Sequence, residues 1–154
     1  MLQAVPFART LNISIVDLRA DDGAAFAGRP ADHGAIAAVA ELPDDPSTHN
    51  HVGAPHAGAL FSLGETASGA VVMAAFGDQL GRALPLAVRA EIAYRKLAMG
   101  TVRATARLGR PAAEVVAELD AGTRPEFPVE VDIAMLDGTV TAHMTVVWTL
   151  RPHR

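Results

Sequence analysis

Between His56 and Phe76 the chain runs for 21 residues without a proline and with one formal charge, Glu65. Rich in alanine and closed by Gly77-Asp78, this stretch predicts one long helix, roughly 30 Å at 1.5 Å per residue. A helix so poor in charge has to be covered. The rest of the sequence supplies the cover as strands.

Val140, Ala142, Met144, Val146, Trp148 and Leu150 alternate with Thr141, His143, Thr145 and Thr149, the period-two pattern of a half-buried strand. Before it, Phe127, Val129, Val131, Ile133 and Met135 alternate with Glu130 and Asp132. Asp137-Gly138 joins the two runs as a two-residue hairpin. A second pair is expected earlier, Leu86 to Tyr94 against Val102 to Leu108, with Gly100 at the turn. All four strands present one apolar face and one face of charge and threonine, as an antiparallel sheet covered on one side does. A shorter helix is expected from Pro111 to Ala121, burying Ala112, Val115, Val116 and Leu119 and stopped by Gly122. Leu11 to Leu18 and Ala35 to Leu42 read as strands separated by a loop from Asp21 to Gly34. The class is α+β, an antiparallel sheet around one long central helix, with a short extra helix before the C-terminal hairpin.

With 154 residues, no internal repeat and no low-complexity linker, residues 1–154 are expected to form one domain. No uninterrupted apolar run reaches the roughly 18 residues of a membrane span. The N-terminus lacks the pattern of a signal peptide and there is no cysteine, so the expected location is the cytoplasm. A net charge of −4 with interspersed signs gives no reason to expect nucleic acid as a partner.

The chemistry concentrates between Asn50 and Ser68. The loop Asn50-His51-Val52-Gly53-Ala54-Pro55 delivers the backbone into a helix start at His56-Ala57-Gly58, where the first amides lack intrahelical partners and stabilise an anion. In an acyl transfer they hold the developing oxyanion, and small residues at Ala57 and Gly58 let a carbonyl come close. Glu65 stands among Ser62, Leu63, Gly64, Thr66, Ala67 and Ser68, with no other formal charge nearby. A carboxylate in that setting is a candidate general base or nucleophile, with the hydroxyls of Ser62 and Ser68 one turn to either side as candidate hydrogen-bond partners. Ala57 and Glu65 are eight residues apart on one helix, about 12 Å along its axis, too far to act together on one carbon. Two catalytic half-sites so separated require a homodimer with composite sites. His33, His49, His143 and His153 read as solvated or structural, and no histidine spacing resembles a zinc site, so no metal is expected.

Asn50 followed by His56-Ala57-Gly58-Ala59-Leu60-Phe61-Ser62-Leu63-Gly64-Glu65 resembles the Asn...His-Gly-Gly-x-x-Phe-x-Leu-Ala-Asp/Glu motif of PaaI-like acyl-CoA thioesterases, a family of the hot-dog fold. The likeness extends through Tyr94 and Gly100 to the final hairpin, about two-thirds of the chain. The resemblance implies that Glu65 activates water or attacks the thioester and that the Ala57 and Gly58 backbone binds the oxyanion. Asn50 and His56 then orient the carbonyl or the nucleophile. It implies coenzyme A as part of the substrate with no separate cofactor, Phe61, Ser62 and Ser68 on the substrate side, and a homodimer that can pair further into a tetramer. Arg95, Lys96 and Arg103 are the candidate cations for the coenzyme A phosphates. The chain departs from the pattern at Ala57, where the family has glycine, and at Ala87, where some members carry a polar residue.

Two other readings share these residues. A hydroxyacyl-thioester dehydratase would pair His51 with Glu65, fourteen residues apart, but the Pro-Gly pair of such enzymes is replaced by Ala59-Leu60. A non-catalytic acyl-thioester binding protein would keep Glu65 for packing or ligand orientation.

Overall fold

In the computed structural model, which describes residues 5–19 and 36–153, a short helix α1 (Pro6–Thr10) leads into β1 (Ser14–Arg19). There follow β2 (Ala37–Leu42), α2 (Ala57–Phe76), β3 (Ala83–Tyr94), β4 (Val102–Leu108), α3 (Ala112–Asp120), β5 (Glu126–Met135) and β6 (Val140–Pro152). The expected loop from Asp21 to Gly34, with His33 and the neighbouring Ala35, lies outside the described residues. The six strands form one antiparallel sheet in the order β1-β2-β4-β5-β6-β3. Its inner face wraps α2, which is the hot-dog arrangement.

The alternating patterns do what their period requires. Val102, Ala104 and Ala106 of β4, Phe127, Val129, Val131 and Ile133 of β5, and Met144, Val146 and Leu150 of β6 are fully buried on the side of α2. The intervening residues form the outer face. There His143 is held by Asp132 through Nδ1 at 2.9 Å and by Glu130 through Nε2 at 3.1 Å, a structural cross-strand role of the kind expected for this histidine. By length and composition α2 could cross a membrane, yet half of its residues are buried against the sheet and neighbouring elements, and it is the core helix of the domain. It rides close to the sheet at Gly64, where an added Cβ would sit 2.6 Å from Met144 Sδ. At its far end Phe76 packs on Phe127, ring centroids 4.8 Å apart.

Three expectations are corrected. β3 and β4 do not pair: β3 lies at the sheet edge against β6, and β4 lies between β2 and β5. The segment between them, residues 95–101, carries the chain across three inter-strand spacings of about 4.8 Å each, which a tight turn cannot do. As an edge strand β3 also lacks a buried face over much of its length, with Val88 42% exposed at a bulge. The C-terminal hairpin closes through three residues rather than two. Met135 N–H donates to Thr139 O and Gly138 N–H to Met135 O, with Gly138 at φ 88°. A type I′ turn would need positive φ at Asp137 as well, which it does not have, so Gly138 forms the bulge of a three-residue loop. Finally, the run from Leu11 is strand only from Ser14, and α1 precedes it.

α3 matches its expected position, with Val115 and Leu119 buried and Ala112 and Val116 against the core.

Candidate active site

The loop before α2 is bonded to itself. Asp45 caps a 3-10 turn over Pro46–Thr48 by accepting from Ser47 N–H, and Thr48 O then receives His56 N–H at 2.8 Å. Asn50 holds the tip: its Oδ1 accepts from Val52 N–H at 3.0 Å and Ala54 N–H at 3.1 Å, and its own N–H reaches Ala54 O at 2.7 Å. Gly53, at φ 75°, supplies the left-handed residue the tip needs. Asn50 is thus first a staple of this loop.

This scaffold places His56 as the N-cap of α2. Its Nδ1 accepts from Gly58 N–H at 2.9 Å, so Nδ1 is unprotonated and the ring proton of the neutral imidazole sits on Nε2. Ala59 and Leu60 N–H groups both go to His56 O, at 2.9 and 3.0 Å. Of the first-turn amides, Ala57 N–H alone has no partner among the described residues. The expected oxyanion pair is therefore reduced to one free donor at Ala57, with the Gly58 amide already engaged by its own cap. Two carbonyls of this turn are also occupied: Tyr94 Oη donates to Ala57 O and Ser62 Oγ to Gly58 O, both at 2.8 Å. Tyr94 ties the end of β3 to the start of α2, a role its strand pattern did not announce. Burial pushes the Tyr94 phenol above its usual range.

Glu65 lies two turns further on, beside a stripe of half-buried residues that continues through Thr66, Gly69 and Met73. Burial pushes its carboxyl above the ordinary carboxylate range, with no charged neighbour contributing. It has no hydrogen bond or ion pair among the described residues. The two hydroxyls expected beside it are turned elsewhere. Ser62 bonds back to Gly58 O, and Ser68, fully buried, donates to Glu65's backbone O at 2.7 Å and accepts from Trp148 Nε1 at 3.1 Å. Ser68 is a structural residue of the core, outside any substrate space.

Glu65 opens onto a cleft of about 800 Å³ between α2 on one side and α1, β1, Pro85 and Trp148 on the other. Phe61, half-buried, packs against the core just ahead of it. Arg95 and Lys96 directly follow Tyr94 at the helix-start end; their backbone amides bond Thr141 O and their side chains are exposed. Arg103 does not join them. It stands on the outer face of the sheet with Nε 2.8 Å from Glu41 Oε2. His51 is exposed on the loop. No cluster among the described residues has the makings of a metal site.

The chain superimposes on a Pseudomonas aeruginosa protein of unknown function named a probable thioesterase, at 22% identity over 99% of this chain and 91% of that one, TM-score 0.80. It also superimposes on the E. coli PaaI protein from the phenylacetic acid degradation operon, at 16% identity over 97% and 87%, TM-score 0.69. A thioesterase family protein from Silicibacter pomeroyi aligns at 18% identity over 99% and 93%, TM-score 0.71. These likenesses establish the fold. No curated protein sequence matches the chain. A family profile described as a domain of unknown function, DUF4442, matches residues 1–150, and the chain belongs to that family.

Proposed function

We propose that this chain hydrolyses acyl-CoA thioesters as a homodimer, each site pairing the α2 start of one subunit with Glu65 of the other. The observation that carries the reading is Glu65 itself: a carboxylate without a partner among the described residues, its pKa lifted by burial, on an apolar cleft. A base so placed accepts a proton more readily than an exposed glutamate. Glu65 takes a proton from water as the water oxygen attacks the thioester carbon. The carbonyl oxygen gains negative charge against Ala57 N–H of the partner subunit, the carbon–sulfur bond breaks, and the thiolate leaves to be protonated as free coenzyme A. Asn50 sets the loop that aims His56 and Ala57, and Arg95 and Lys96 meet the phosphates of the carrier. The same carboxylate can attack the carbon directly, forming an anhydride that water then opens.

Two observations support the dimer. The axial distance of about 12 Å between Ala57 and Glu65 keeps them from one carbon. β3 leaves a 12-residue strand with an unpaired edge, a template for antiparallel pairing with a second copy. The named activities of the similar solved structures agree with this chemistry.

The test is thiol release from a panel of acyl-CoAs by wild type and Glu65→Gln, with the molecular mass of the active species measured alongside. Turnover that collapses in Glu65→Gln supports the proposal. Hydration of an enoyl-CoA without thiol release would replace it by a dehydratase, and an active monomer would remove the composite site.

A further inference from the structure

The long wall of the cleft is one stripe of α2. Glu65, Thr66, Gly69, Ala70, Val72 and Met73 all contribute to it, the spacing of residues on one helical face. Glu65 stands at its N-terminal end and Met73 at the other, eight residues on, so the wall extends about 12 Å from the carboxylate. Opposite this wall the described lining is mostly aliphatic, with Val5 and Ile13 flanking α1, Ile15 and Leu18 from β1 and Pro85 from β3, apart from Ser14, Trp148 and the exposed Arg9. Arg9 is exposed at this lining and brings its only charge among the described residues.

Gly69 decides how wide the lane is. A Cβ placed there would lie 3.8 Å from Trp148 Cζ2 and Cη2, ordinary contact. The missing side chain leaves a gap about one methyl group wide between helix and indole, and anything larger must project into the cleft. Met73, half-buried, stands at the far end.

Resting on the thioesterase reading above, we infer that this cleft is an acyl-chain pocket for a straight aliphatic chain of about eight to ten carbons, since about 12 Å takes about ten bonds at about 1.2 Å of extended chain each. Gly69 sets the width of its lane and Met73 its end. The cleft's volume falls within the range of small-molecule sites, and its mostly apolar lining offers a chain methylenes to pack against.

The test measures the pocket without chemistry, by calorimetric binding of S-alkyl-CoA thioethers from butyl to hexadecyl to the full chain. For wild type, the dissociation constant falls about fourfold per methylene, the equivalent of about 0.8 kcal/mol each, and levels off near decyl. Gly69→Val, which raises helix propensity at that position, moves the levelling point about two carbons shorter, and Met73→Ala moves it longer by a similar step. Circular dichroism and melting confirm that both variants fold. No binding of any thioether, a profile flat from butyl to decyl, or a levelling point unmoved in both variants would overturn the inference. The outcome separates from that of the hydrolase reading. Length-dependent thioether binding by a chain that releases no thiol keeps the pocket and removes the hydrolase, and hydrolysis with flat thioether binding does the reverse.

Discussion

Replacing Ala57 with proline removes one group of consequence, the N–H that has no partner among the described residues. Proline is well suited to the first helical residue, where its φ is already set and its missing donor is an orphan in any case. His56, at φ −61° and ψ 143°, has the extended backbone that a following proline requires. The carbonyl contacts of the turn survive, because Tyr94 still donates to Ala57 O and Ser62 to Gly58 O. Stability is therefore held, or rises by about 0.4–1 kcal/mol through the stiffer unfolded chain. Activity responds differently. Loss of one oxyanion donor lowers kcat by about 10²–10³, equivalent to about 2.7–4 kcal/mol of transition-state stabilisation, with KM little changed because the bond matures only in the transition state. The assay is thiol release at saturating acyl-CoA, with melting measured on the same preparation. A second arm mixes Ala57→Pro with Glu65→Gln by co-refolding. Each variant alone is inactive, but a mixed dimer holds one site with both groups intact, and random mixing restores about a quarter of wild-type sites. Ala57→Pro retaining kcat within about threefold of wild type, well short of a loss of 2.7 kcal/mol, would refute the oxyanion assignment. A co-refolded mixture no more active than its parts would refute the shared site.

Two further outcomes follow from the same geometry. Because burial lifts the folded pKa of Glu65 above the unfolded value of about 4.3, its favourable contribution to stability is complete below that unfolded pKa and is lost as pH rises through the folded one. Glutamine does not titrate, so melting curves of wild type and Glu65→Gln across pH diverge in favour of the variant on the neutral side, while wild-type turnover rises through the same pKa; parallel curves would deny the burial effect. Ser68→Ala leaves Trp148 Nε1–H unsatisfied in the core and costs about 1–3 kcal/mol in urea unfolding, and a loss much below that range would mean that the indole finds another acceptor.

What could be read in the sequence is what repeats locally. The two-residue periods of β5 and β6 and the long, proline-free, nearly uncharged run of α2 are carried by their own residues, so the helix from His56 and the C-terminal strands lie where the pattern puts them. Neighbours in a sheet are not so encoded, because the alternation of Leu86 to Tyr94 fits any partner strand. The length of residues 95–101 was the available hint that it would not be β4, being more than a hairpin loop commonly uses. The cleft was hidden for a related reason: Ile13, Pro85 and Trp148 meet Glu65 only through the fold, and the five residues of α1 are too few to show a helical period.

Spacing also misled at the hydroxyls. Three residues to either side of Glu65 does place Ser62 and Ser68 one turn away, but serine in a helix readily bonds a carbonyl of the preceding turn, and both do so here. This sharpens the meaning of the lone charge. A carboxylate that served only the fold would be expected to use a hydroxyl so close at hand, since an unsatisfied polar group is costly to bury. Instead Ser68 is committed to Trp148 and the backbone and Ser62 to the helix start, while the Glu65 carboxylate lines the cleft with no partner among the described residues. A local rule broken in one place, inside a helix that obeys it everywhere else, is where a requirement other than stability has to be sought.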